Sequence, residues 1–344
     1  MSAAADLGRA HDPAHEPTLP DLRALLGPHA PSVLIEAGDH AGFTFALAGT
    51  EPGIGGRRAE PLTLKVATGP SARSAVERET RMLVELRRRR LGAVQNTIPR
   101  YAGTRYYDGH PAVLCSTLPG ESMAVGYHQL LHTARPELVR RDLALAGSWL
   151  AAFQQASFGP TTASTWVAET REAVERRWCG HALLDPARAI LDRAAERLDG
   201  HAVELCAVHG AFTYENVLVG PDGVTGVLNW SRGELEGSPL RDLGRFAVAY
   251  SASLDRGTRP GRRVLGHPGL RRGPGLPGLR YTLLGRSWYA RVVRGYLADG
   301  LTRLGIPEQR AGDVLVAAIG EVAATSHDER TAEDHLAALA DLPV

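Results

Sequence analysis

Hydrophobic and polar positions change their spacing about a third of the way along the chain. Up to residue 118 the apolar residues fall in short β-rich runs, and one long stretch, from about Ser71 to Arg90, has them at helical spacing. Beyond residue 118 helical spacing dominates, interrupted by strand-like runs between residues 203 and 230. The pattern predicts an α+β protein in which a small β-rich part precedes a larger helical part. The predicted divisions are a flexible N-terminal segment (1–31), a β-rich unit (32–118) and a mainly helical unit (119–344).

The individual elements follow from the same spacing. The predicted strands of the β-rich unit are Val33–Ala37, Phe43–Ala48, Leu62–Val66, Arg100–Tyr106 and Ala112–Leu118. The main predicted helices of the helical unit are Leu143–Ala156, Ser164–Arg177, Pro186–Leu198, Tyr281–Leu304 and Asp313–Ser326. Ser74 and Glu77 are spaced as a capping box near the start of the 71–90 helix. Gly38 and Gly42 bound a loop of hairpin length between the first two strands.

Composition and charge exclude several classes of protein. The chain has 344 residues, of which 44% are hydrophobic and 22% are charged, and its formal net charge of +1 favours neither nucleic acid nor an anionic membrane as a partner. Its three cysteines, Cys115, Cys179 and Cys206, lack metal-ligand spacing and are too few for a disulfide scaffold. No apolar run approaches the roughly 20 residues that span a bilayer, and residues 1–31 contain no signal-peptide core. The sequence therefore favours a soluble, cytoplasmic protein.

A single lysine, Lys65, stands among 38 arginines. Because arginine serves solubility as well as lysine does, the lone lysine indicates a position where a compact point charge is needed. Glu79 falls on the apolar stripe of the following helix, between Val76 and Leu83. A carboxylate on a buried stripe needs a cation, since an unpaired buried charge is costly. Both residues are therefore candidates for a functional charge.

The most informative motifs lie in the helical unit. Residues 208–219 read VHGAFTYENVLV, residues 226–230 read GVLNW, and residues 238–243 read SPLRDL. These motifs resemble the aminoglycoside phosphotransferase-like branch of the kinase fold, which carries a His-Gly-Asp loop with an asparagine five residues after the aspartate, a strand ending Ile-Asp-Trp, and a later Asp-Pro-x-x-Asp-Leu. The resemblance covers residues 33 to about 305 and implies a two-lobe, protein-kinase-like fold. Its small N-lobe would hold an antiparallel sheet and one helix, and its larger, mainly helical C-lobe would hold the catalytic loop 208–219 and a metal-binding strand 224–230.

The resemblance also implies a role for each matching residue in binding ATP or GTP with Mg²⁺. Lys65 and Glu79 would form an ion pair that holds the α- and β-phosphates. Asn216 would bind the metal, and His209 and Asp242 would support the catalytic loop. Further nucleotide contacts would come from the glycines of the first hairpin and from the hinge that follows the last strand, namely Gly38, Gly42, Ser116 and Leu118.

Two carboxylates on which this chemistry depends are replaced in this chain. The family's loop aspartate, which accepts or orients the proton of the attacking hydroxyl, is Ala211 here, and its metal-binding aspartate is Asn229. Alanine cannot accept a proton, and a general base contributes about 10²–10⁴-fold to the rate. Asparagine keeps an oxygen ligand but lacks the charge that holds a hard dication well. We therefore expect impaired phosphoryl transfer, with Ala211 at the vacated base position and with Asn216 and Asn229 as residual metal ligands. Glu215 is an alternative carboxylate, although on an extended loop its side chain would point opposite to that of Asn216.

Three hypotheses account for these replacements. In the first, the chain is a phosphotransferase that transfers the γ-phosphate to a hydroxyl and has lost its loop aspartate to Ala211, by engineering or naturally. In the second, it is a natural pseudokinase that binds a nucleotide or a peptide as a partner subunit. In the third, it is a peptide-binding scaffold that needs no nucleotide. Restoring the aspartate should produce transfer under the first hypothesis alone, and removing Lys65 should leave partner binding unchanged under the third.

Residues 254–280 carry a strong local positive charge. Seven arginines against one acid, Asp255, give +6 in 27 residues, together with seven glycines and four prolines. This composition predicts a mobile basic loop, which is either a disordered insertion without a partner or a docking surface for an acidic or phosphate-bearing ligand. Arg241 and Arg245 add positive charge on the expected substrate side. Like-charge repulsion disfavours a polycationic aminoglycoside and favours a neutral or acidic acceptor, such as a hydroxyl-bearing small molecule or a Ser/Thr residue of a natural-product precursor peptide with an acidic leader.

Overall fold

The computed structural model describes residues 33–38, 42–47, 61–67, 70–107 and 110–343. The predicted flexible segment 1–31 and the loop that joins Gly38 to Gly42 lie outside the described residues. The described residues form two compact units. The first unit comprises the residues up to Arg88 together with Ile98–Leu118 and Trp230–Arg232, and the second comprises Arg89–Thr97, Pro119–Asn229 and the residues from Gly233 onwards.

The first unit is built on a five-stranded antiparallel sheet and one helix. Its elements are β1 (Val33–Gly38), β2 (Gly42–Leu47), β3 (Leu62–Ala67), α1 (Pro70–Arg89), β4 (Tyr101–Tyr107) and β5 (His110–Ser116). The strand order is β1-β2-β3-β5-β4, so β3 is the central strand. Lys65 lies on β3 opposite Val113 of β5 and opposite Thr44 of β2. Because β3 is central, the backbone of Lys65 lies between two hydrogen-bonded strands, β2 and β5.

Helix α1 buries one face within this unit. Its apolar residues Val76, Leu83 and Leu86 are buried, and Glu79 is buried among them. Burying a leucine side chain stabilises the fold by about 1.5–3 kcal/mol relative to leaving it exposed. The apolar stripe therefore fixes the rotation of the helix and, with it, the position of the Glu79 carboxylate.

The predicted capping box at the start of this helix is wrong. Helix α1 begins at Pro70, so Ser74 and Glu77 lie inside the helix. Proline is well suited to the first helical position, because its φ angle is fixed near the helical value and its missing N–H would have no partner there. A proline start thus replaces the predicted side-chain cap.

The second unit is mainly helical. In chain order its regular elements are β6 (Glu121–Ser122), α2 (Met123–Tyr127), α3 (Pro136–Ser157), β7 (Thr161–Ala163), α4 (Trp166–Arg177), α5 (Leu184–Leu198), β8 (Ala202–Glu204), β9 (Cys206–Val208), β10 (Val217–Gly220), β11 (Gly223–Val227), β12 (Glu234–Gly237), α6 (Leu240–Ala252), α7 (Pro277–Leu284), α8 (Trp288–Arg303), α9 (Ala311–Thr325) and α10 (Glu329–Ala340). The strands pair as β11-β10-β6, β12-β9 and β7-β8. Among the described residues, no helix combines the length and the apolar character needed to cross a membrane. The two units together confirm the predicted α+β class.

Helix α9 forms the centre of the core of the second unit. It is apolar around most of its circumference, as is typical of a buried helix, and it contacts α4, α5, α6 and α10. Gly244 of α6 approaches α9 so closely that a Cβ atom there would lie 2.8 Å from the Cβ of Ala318. This close approach fixes helix α6, whose first turn carries Asp242.

The predicted helix Tyr281–Leu304 is two helices in the structure. Helix α7 ends at Leu284 and α8 begins at Trp288. The Ser287 hydroxyl caps α8 by accepting a hydrogen bond from the Ala290 amide, with 3.1 Å between the two atoms. Apolar spacing continues across this break, so periodicity alone joins the two helices into one.

The structure describes the whole segment 254–280, which was predicted to be a basic loop, and its mobility stays a prediction. We call it the arginine-rich segment. Its backbone folds back on itself, because the Gly261 amide donates to Arg272 O at 2.9 Å and the Val264 amide donates to Leu270 O at 3.0 Å. Val264 and Leu270 are buried. The sparse apolar residues of this segment therefore anchor it, although its composition is typical of disorder.

Candidate functional site

The predicted charged pair of the first unit is present. Lys65 Nζ lies 2.6 Å from Glu79 Oε1, and the side chains are 17% and 5% exposed, respectively. The Trp230 amide also donates to Glu79 Oε1, with 3.3 Å between the atoms. Glu79 is therefore held by two donors, and its burial is compensated by a cation.

The three-residue turn Trp230–Arg232 belongs to the first unit. Arg78 of α1 donates from Nε to Ser231 O at 3.0 Å, next to the bond from the Trp230 amide to Glu79. The Trp230 side chain is fully buried, which agrees with a packing role. Helix α1 thus holds the residues that immediately follow Asn229 in the chain.

The predicted hinge and glycine residues lie at strand ends. Ser116 ends β5, and its hydroxyl accepts a hydrogen bond from the Arg100 amide at 2.8 Å, so this side chain supports the sheet. Leu118 is partly exposed two residues later. Gly38 and Gly42 face each other at the ends of β1 and β2. The nucleotide contacts expected of these four residues stay predictions.

In the second unit, Asp242 holds the start of the 208–219 loop. Its two carboxylate oxygens accept hydrogen bonds from the His209 amide at 2.6 Å and from the Gly210 amide at 2.9 Å. Gly210 has φ +72°, a conformation that side chains disfavour, which explains the glycine. Burial raises the pKa of Asp242 to about 6, although the two amide hydrogen bonds act to lower it. The residue is 2% exposed, so the loop is supported from inside the fold.

His209 supports the same loop through its ring. Its Nε2 lies 2.7 Å from Leu228 O, and its Nδ1 accepts a hydrogen bond from the Ala211 amide at 3.2 Å. Because Nδ1 accepts, the hydrogen-bond network assigns the neutral tautomer whose proton is on Nε2 and is donated to Leu228 O. The ring is fully buried and joins the loop to the end of β11.

Two aromatic side chains anchor the middle of the loop. Phe212 stacks on Trp149 of α3, with 5.2 Å between ring centroids, and Tyr214 stacks on Tyr127 of α2, with 4.4 Å between centroids. Both loop aromatics are fully buried. Their role was not predicted from the sequence. In the sequence these aromatics alternate with polar residues at 213 and 215. Such alternation indicates that the aromatic side chains face the interior.

Asn216 and Asn229 contact each other. Asn216 Nδ2 donates to Ala211 O at 2.8 Å, and this bond turns its Oδ1 towards Asn229, whose Nδ2 donates to it at 2.6 Å. The Leu228 amide donates to Asn216 O at 2.9 Å, so the backbones are joined as well. Asn229 has φ +65°, a left-handed conformation that asparagine tolerates better than most residues.

Ala211 occupies the predicted base position, and in the described part of the chain the alternative carboxylate, Glu215, pairs with an arginine. Its backbone is held by the bonds to His209 and Asn216, but its methyl group can neither donate nor accept a proton. Glu215, the alternative carboxylate, is 50% exposed and lies 3.6 Å from Arg256 of the arginine-rich segment. The loop therefore keeps its support without its acid–base group.

The residues of this loop do not fit a bound Mg²⁺ ion. The two predicted ligands are neutral amides, and the Asn216 oxygen already accepts a hydrogen bond from Asn229. Within the described ranges no three His, Cys, Asp or Glu residues come together as a metal site. Mg²⁺ is held in proteins through carboxylates and phosphates, so a hydrogen-bonded amide pair is a poor ligand set.

Arg241, which was expected to favour an acidic ligand, is neutralised by acidic neighbours. Its guanidinium lies 2.6 Å from Glu234 and 3.0 Å from Glu321. The Trp166 indole also donates to Glu321, at 2.8 Å. For Arg245, burial lowers the guanidinium pKa. The charge of Arg241 is therefore compensated within the second unit, and both arginines are half-buried.

Comparison with known proteins places this fold in a family. The model of the APH phosphotransferase enzyme family matches residues 38–280. A search of curated protein sequences found no match. Three solved structures are similar: the macrolide 2'-phosphotransferase MphH from Brachybacterium faecium (16% identity, 95% of this chain and 98% of that chain, TM-score 0.51), a thermostable mutant of aminoglycoside phosphotransferase APH(4)-Ia in a ternary complex with ADP and hygromycin B (14%, 90% and 91%, 0.52), and the aminoglycoside-3'-phosphotransferase of type VIII (18%, 86% and 97%, 0.50).

These likenesses show the fold and confirm the predicted two-lobe, protein-kinase-like class. The match to the family model covers more than half of the chain and includes Lys65, Glu79, the 208–219 loop and Asp242. The chain therefore belongs to the APH phosphotransferase enzyme family.

Proposed function

We propose that this chain binds a nucleoside triphosphate, ATP or GTP, through Lys65 and Glu79, and that it is impaired in transferring the γ-phosphate to a hydroxyl. The observation that carries the proposal is the ion pair itself. The single lysine of the chain lies 2.6 Å from a nearly buried carboxylate, in a chain of a phosphotransferase family. The APH(4)-Ia structure of the same fold holds ADP.

The ion pair suits phosphate binding because it fixes one positive charge in place. Glu79 is held by the Trp230 amide as well as by Lys65, so its position does not depend on the lysine alone. Lysine offers a compact charge to phosphate oxygens, whereas the planar fork of arginine requires a different geometry. This requirement explains why a chain with 38 arginines keeps lysine here.

Impairment follows from position 211. In phosphoryl transfer the acceptor oxygen bonds to the γ-phosphorus while the bond to the β,γ-bridging oxygen breaks, and the acceptor hydroxyl gives up its proton. Ala211 cannot take that proton, and the Asn216 side chain beside it is engaged with Ala211 O and Asn229. A missing general base lowers the rate by about 10²–10⁴-fold.

A second candidate function is a natural pseudokinase that acts as a nucleotide- or peptide-binding partner subunit. The observation that favours it is the hydrogen bond between Asn229 and Asn216. A chain altered only at position 211 would keep a metal-binding carboxylate at 229, whereas here both carboxylates are absent and the Asn229 amide donates to the Asn216 oxygen. Such a loop is consistent with a protein that binds a nucleotide or a peptide without transferring phosphate.

The acceptor we propose is a hydroxyl-bearing small molecule or a Ser/Thr residue of a peptide, neutral or acidic in charge. Within the described part of the chain, the arginine-rich segment forms ion pairs through Arg256 with Glu215 at 3.6 Å and through Arg280 with Asp341 at 2.7 Å. Its other five arginines form no such pair there, namely Arg259, Arg262, Arg263, Arg271 and Arg272. This excess of positive charge disfavours a polycationic acceptor.

The experiment that tests the proposal restores the carboxylate. Ala211→Asp, alone and with Asn229→Asp, is incubated with ATP or GTP and with a neutral macrolide or an acidic serine-containing peptide, and nucleoside diphosphate formation is measured. We expect acceptor-dependent turnover at least about 10²-fold above that of the unchanged chain. Ala211→Asn is the matched control, because it adds similar bulk without a base.

The other outcomes separate the alternatives. Nucleotide binding without turnover in both restored variants supports the pseudokinase. Absence of nucleotide binding in the unchanged chain overturns the proposal and leaves the nucleotide-independent scaffold.

A further inference from the structure

A groove of about 540 Å³ lies between helices α3 and α8 of the second unit. This volume is within the range of about 300–1,000 Å³ that is typical of ligand clefts. Leu143 and Gly147 of α3 line it from one side, and Gly295 and Tyr296 of α8 line it from the other. Gly147 packs tightly on the Tyr296 ring, where a Cβ atom would lie 3.2 Å from Cε2. This part of the lining is thus apolar at its base and includes two residues without side chains.

Three arginines line the same groove, which we call the α3–α8 groove. They are Arg140 of α3 and Arg291 and Arg303 of α8. Arg291 donates to Arg286 O at 2.7 Å and Arg303 donates to Gly147 O at 3.2 Å, so backbone carbonyls hold two of the guanidinium groups. In the described ranges, none of the three forms an ion pair with a carboxylate. Asp299 is the one acidic residue of the lining, which leaves an excess of positive charge.

Trp288 connects this groove to the arginine-rich segment. Its ring lines the groove, and its indole nitrogen donates to Gly266 O at 3.2 Å. The His267 ring stacks on the indole, with 5.4 Å between ring centroids. The groove and the arginine-rich segment therefore meet at the Trp288 side chain.

We propose that the α3–α8 groove binds an acidic peptide segment with small apolar side chains, which continues over Trp288 onto the arginine-rich segment. The apolar lining suits short side chains such as alanine, and the arginines suit glutamate or aspartate on either side of them. A small anion would use the guanidinium groups but would leave the lining and the adjoining arginine-rich segment without contacts. An extended acidic peptide contacts all three features.

The proposal is tested without nucleotide, so its failure leaves the nucleotide-binding proposal standing. The probe is a fluorescein-labelled peptide of alternating glutamate and alanine, and the comparison probe has glutamine in place of glutamate. Binding to the full chain is followed by fluorescence anisotropy at low and at physiological salt. We expect the acidic peptide to bind, to weaken as salt increases, and to bind at least about tenfold more tightly than the glutamine peptide.

Two groove variants locate the site. Arg140→Glu/Arg291→Glu reverses two charges of the lining, and Gly295→Leu fills the groove, since a Cβ at 295 meets no atom within 4 Å. Each is expected to weaken binding at least about tenfold. The matched controls are Arg188→Glu/Arg330→Glu on exposed helix surfaces and Gly312→Leu, a helical glycine that also has open space at its Cβ. The controls are expected to bind as the unchanged chain does, and circular dichroism confirms that each variant is folded.

Several results would overturn the proposal. They are no binding of the acidic peptide, equal binding of the glutamine peptide, or unchanged affinity in both groove variants. Loss of binding in Arg259→Glu/Arg263→Glu with no loss in Arg140→Glu/Arg291→Glu would place the acidic peptide on the arginine-rich segment alone and would also overturn it.

Discussion

The side-chain amide of Asn229 donates a hydrogen bond to the side-chain carbonyl of Asn216, with 2.6 Å between Nδ2 and Oδ1. Asn216 in turn donates to Ala211 O, so its carbonyl oxygen has one defined direction. The family motif has an aspartate at the position of Asn229, and its implied role is to bind a metal together with the loop asparagine. Here a hydrogen bond joins the two side chains directly.

Asn229→Asp should make the stability of the protein depend on Mg²⁺. Without a cation the new carboxylate faces the Asn216 oxygen and the hydrogen bond is lost, which destabilises the loop by about 1–3 kcal/mol. With Mg²⁺ the carboxylate and the amide oxygen can share the cation. Thermal unfolding in EDTA and in millimolar Mg²⁺ should therefore show a higher Tm with Mg²⁺ in Asn229→Asp and little change in the unchanged chain.

Asn229→Ala is the control for that comparison, because it removes the hydrogen bond and adds no ligand. It should be destabilised equally in EDTA and in Mg²⁺. A Tm of the unchanged chain that rises with Mg²⁺ as much as that of Asn229→Asp would contradict our assignment of a cation-independent loop.

The contribution of Asp242 to the free energy of unfolding should decrease as the pH rises from about 4 to about 6. Burial raises its folded-state pKa to about 6, from about 3.8 for an exposed aspartate. Because the native state binds the proton more tightly than the unfolded chain, this group contributes stability that is fully present below about pH 4 and is lost as the pH rises towards 6. A pKa raised by this amount changes the free energy of unfolding by about 3 kcal/mol between the two ends of this pH range.

Comparison with Asp242→Asn isolates this effect. The difference in the free energy of unfolding, unchanged chain minus variant, should decrease from pH 4 to pH 6 and stay level from pH 6 to pH 8. Chemical denaturation at each pH measures it. A difference that increases with pH would mean that the His209 and Gly210 amides stabilise the carboxylate more than burial disfavours it.

Lys65→Met should destabilise the first unit, because it leaves the Glu79 carboxylate without its cation. Removing one partner of a buried pair costs about 3–5 kcal/mol, and the 17% exposure of Lys65 suggests about 2–4 kcal/mol here. Lys65→Met/Glu79→Leu should recover part of that loss. A double-mutant cycle measured by urea unfolding gives the coupling, and strictly additive effects would show that the ion pair does not stabilise the fold.

Much of the support for the site could be predicted from sequence because it depends on residue types that have few alternatives. A lone lysine and a glutamate on an apolar stripe indicated a pair, and the structure forms it. His209 and Asp242 were expected to support the loop, and both bond to it through its backbone. The need for a cation beside Glu79 followed from the cost of burying a lone charge, whereas the roles of His209 and Asp242 were implied by the resemblance to the family.

Features that depend on tertiary contacts could not be predicted in this way. Arg241 added positive charge in the sequence, but Glu234 and Glu321 come from distant parts of the chain and neutralise it. The arginine-rich segment is polar in composition, yet buried Val264 and Leu270 are enough to anchor it. The bond between Asn229 and Asn216 was missed because the sequence gives the residue types but not the direction of an amide.

The central claim is that this chain keeps a nucleotide site that depends on Lys65 and gains little from Mg²⁺. Its most direct test is a calorimetric titration with ATP and with GTP, in EDTA and in Mg²⁺, of the unchanged chain and of Lys65→Met/Glu79→Leu. We predict binding by the unchanged chain in both conditions, with affinities that differ by less than about tenfold, and no binding by the variant. Absence of heat with either nucleotide, binding by the folded variant equal to that of the unchanged chain, or binding that requires Mg²⁺ would contradict the claim.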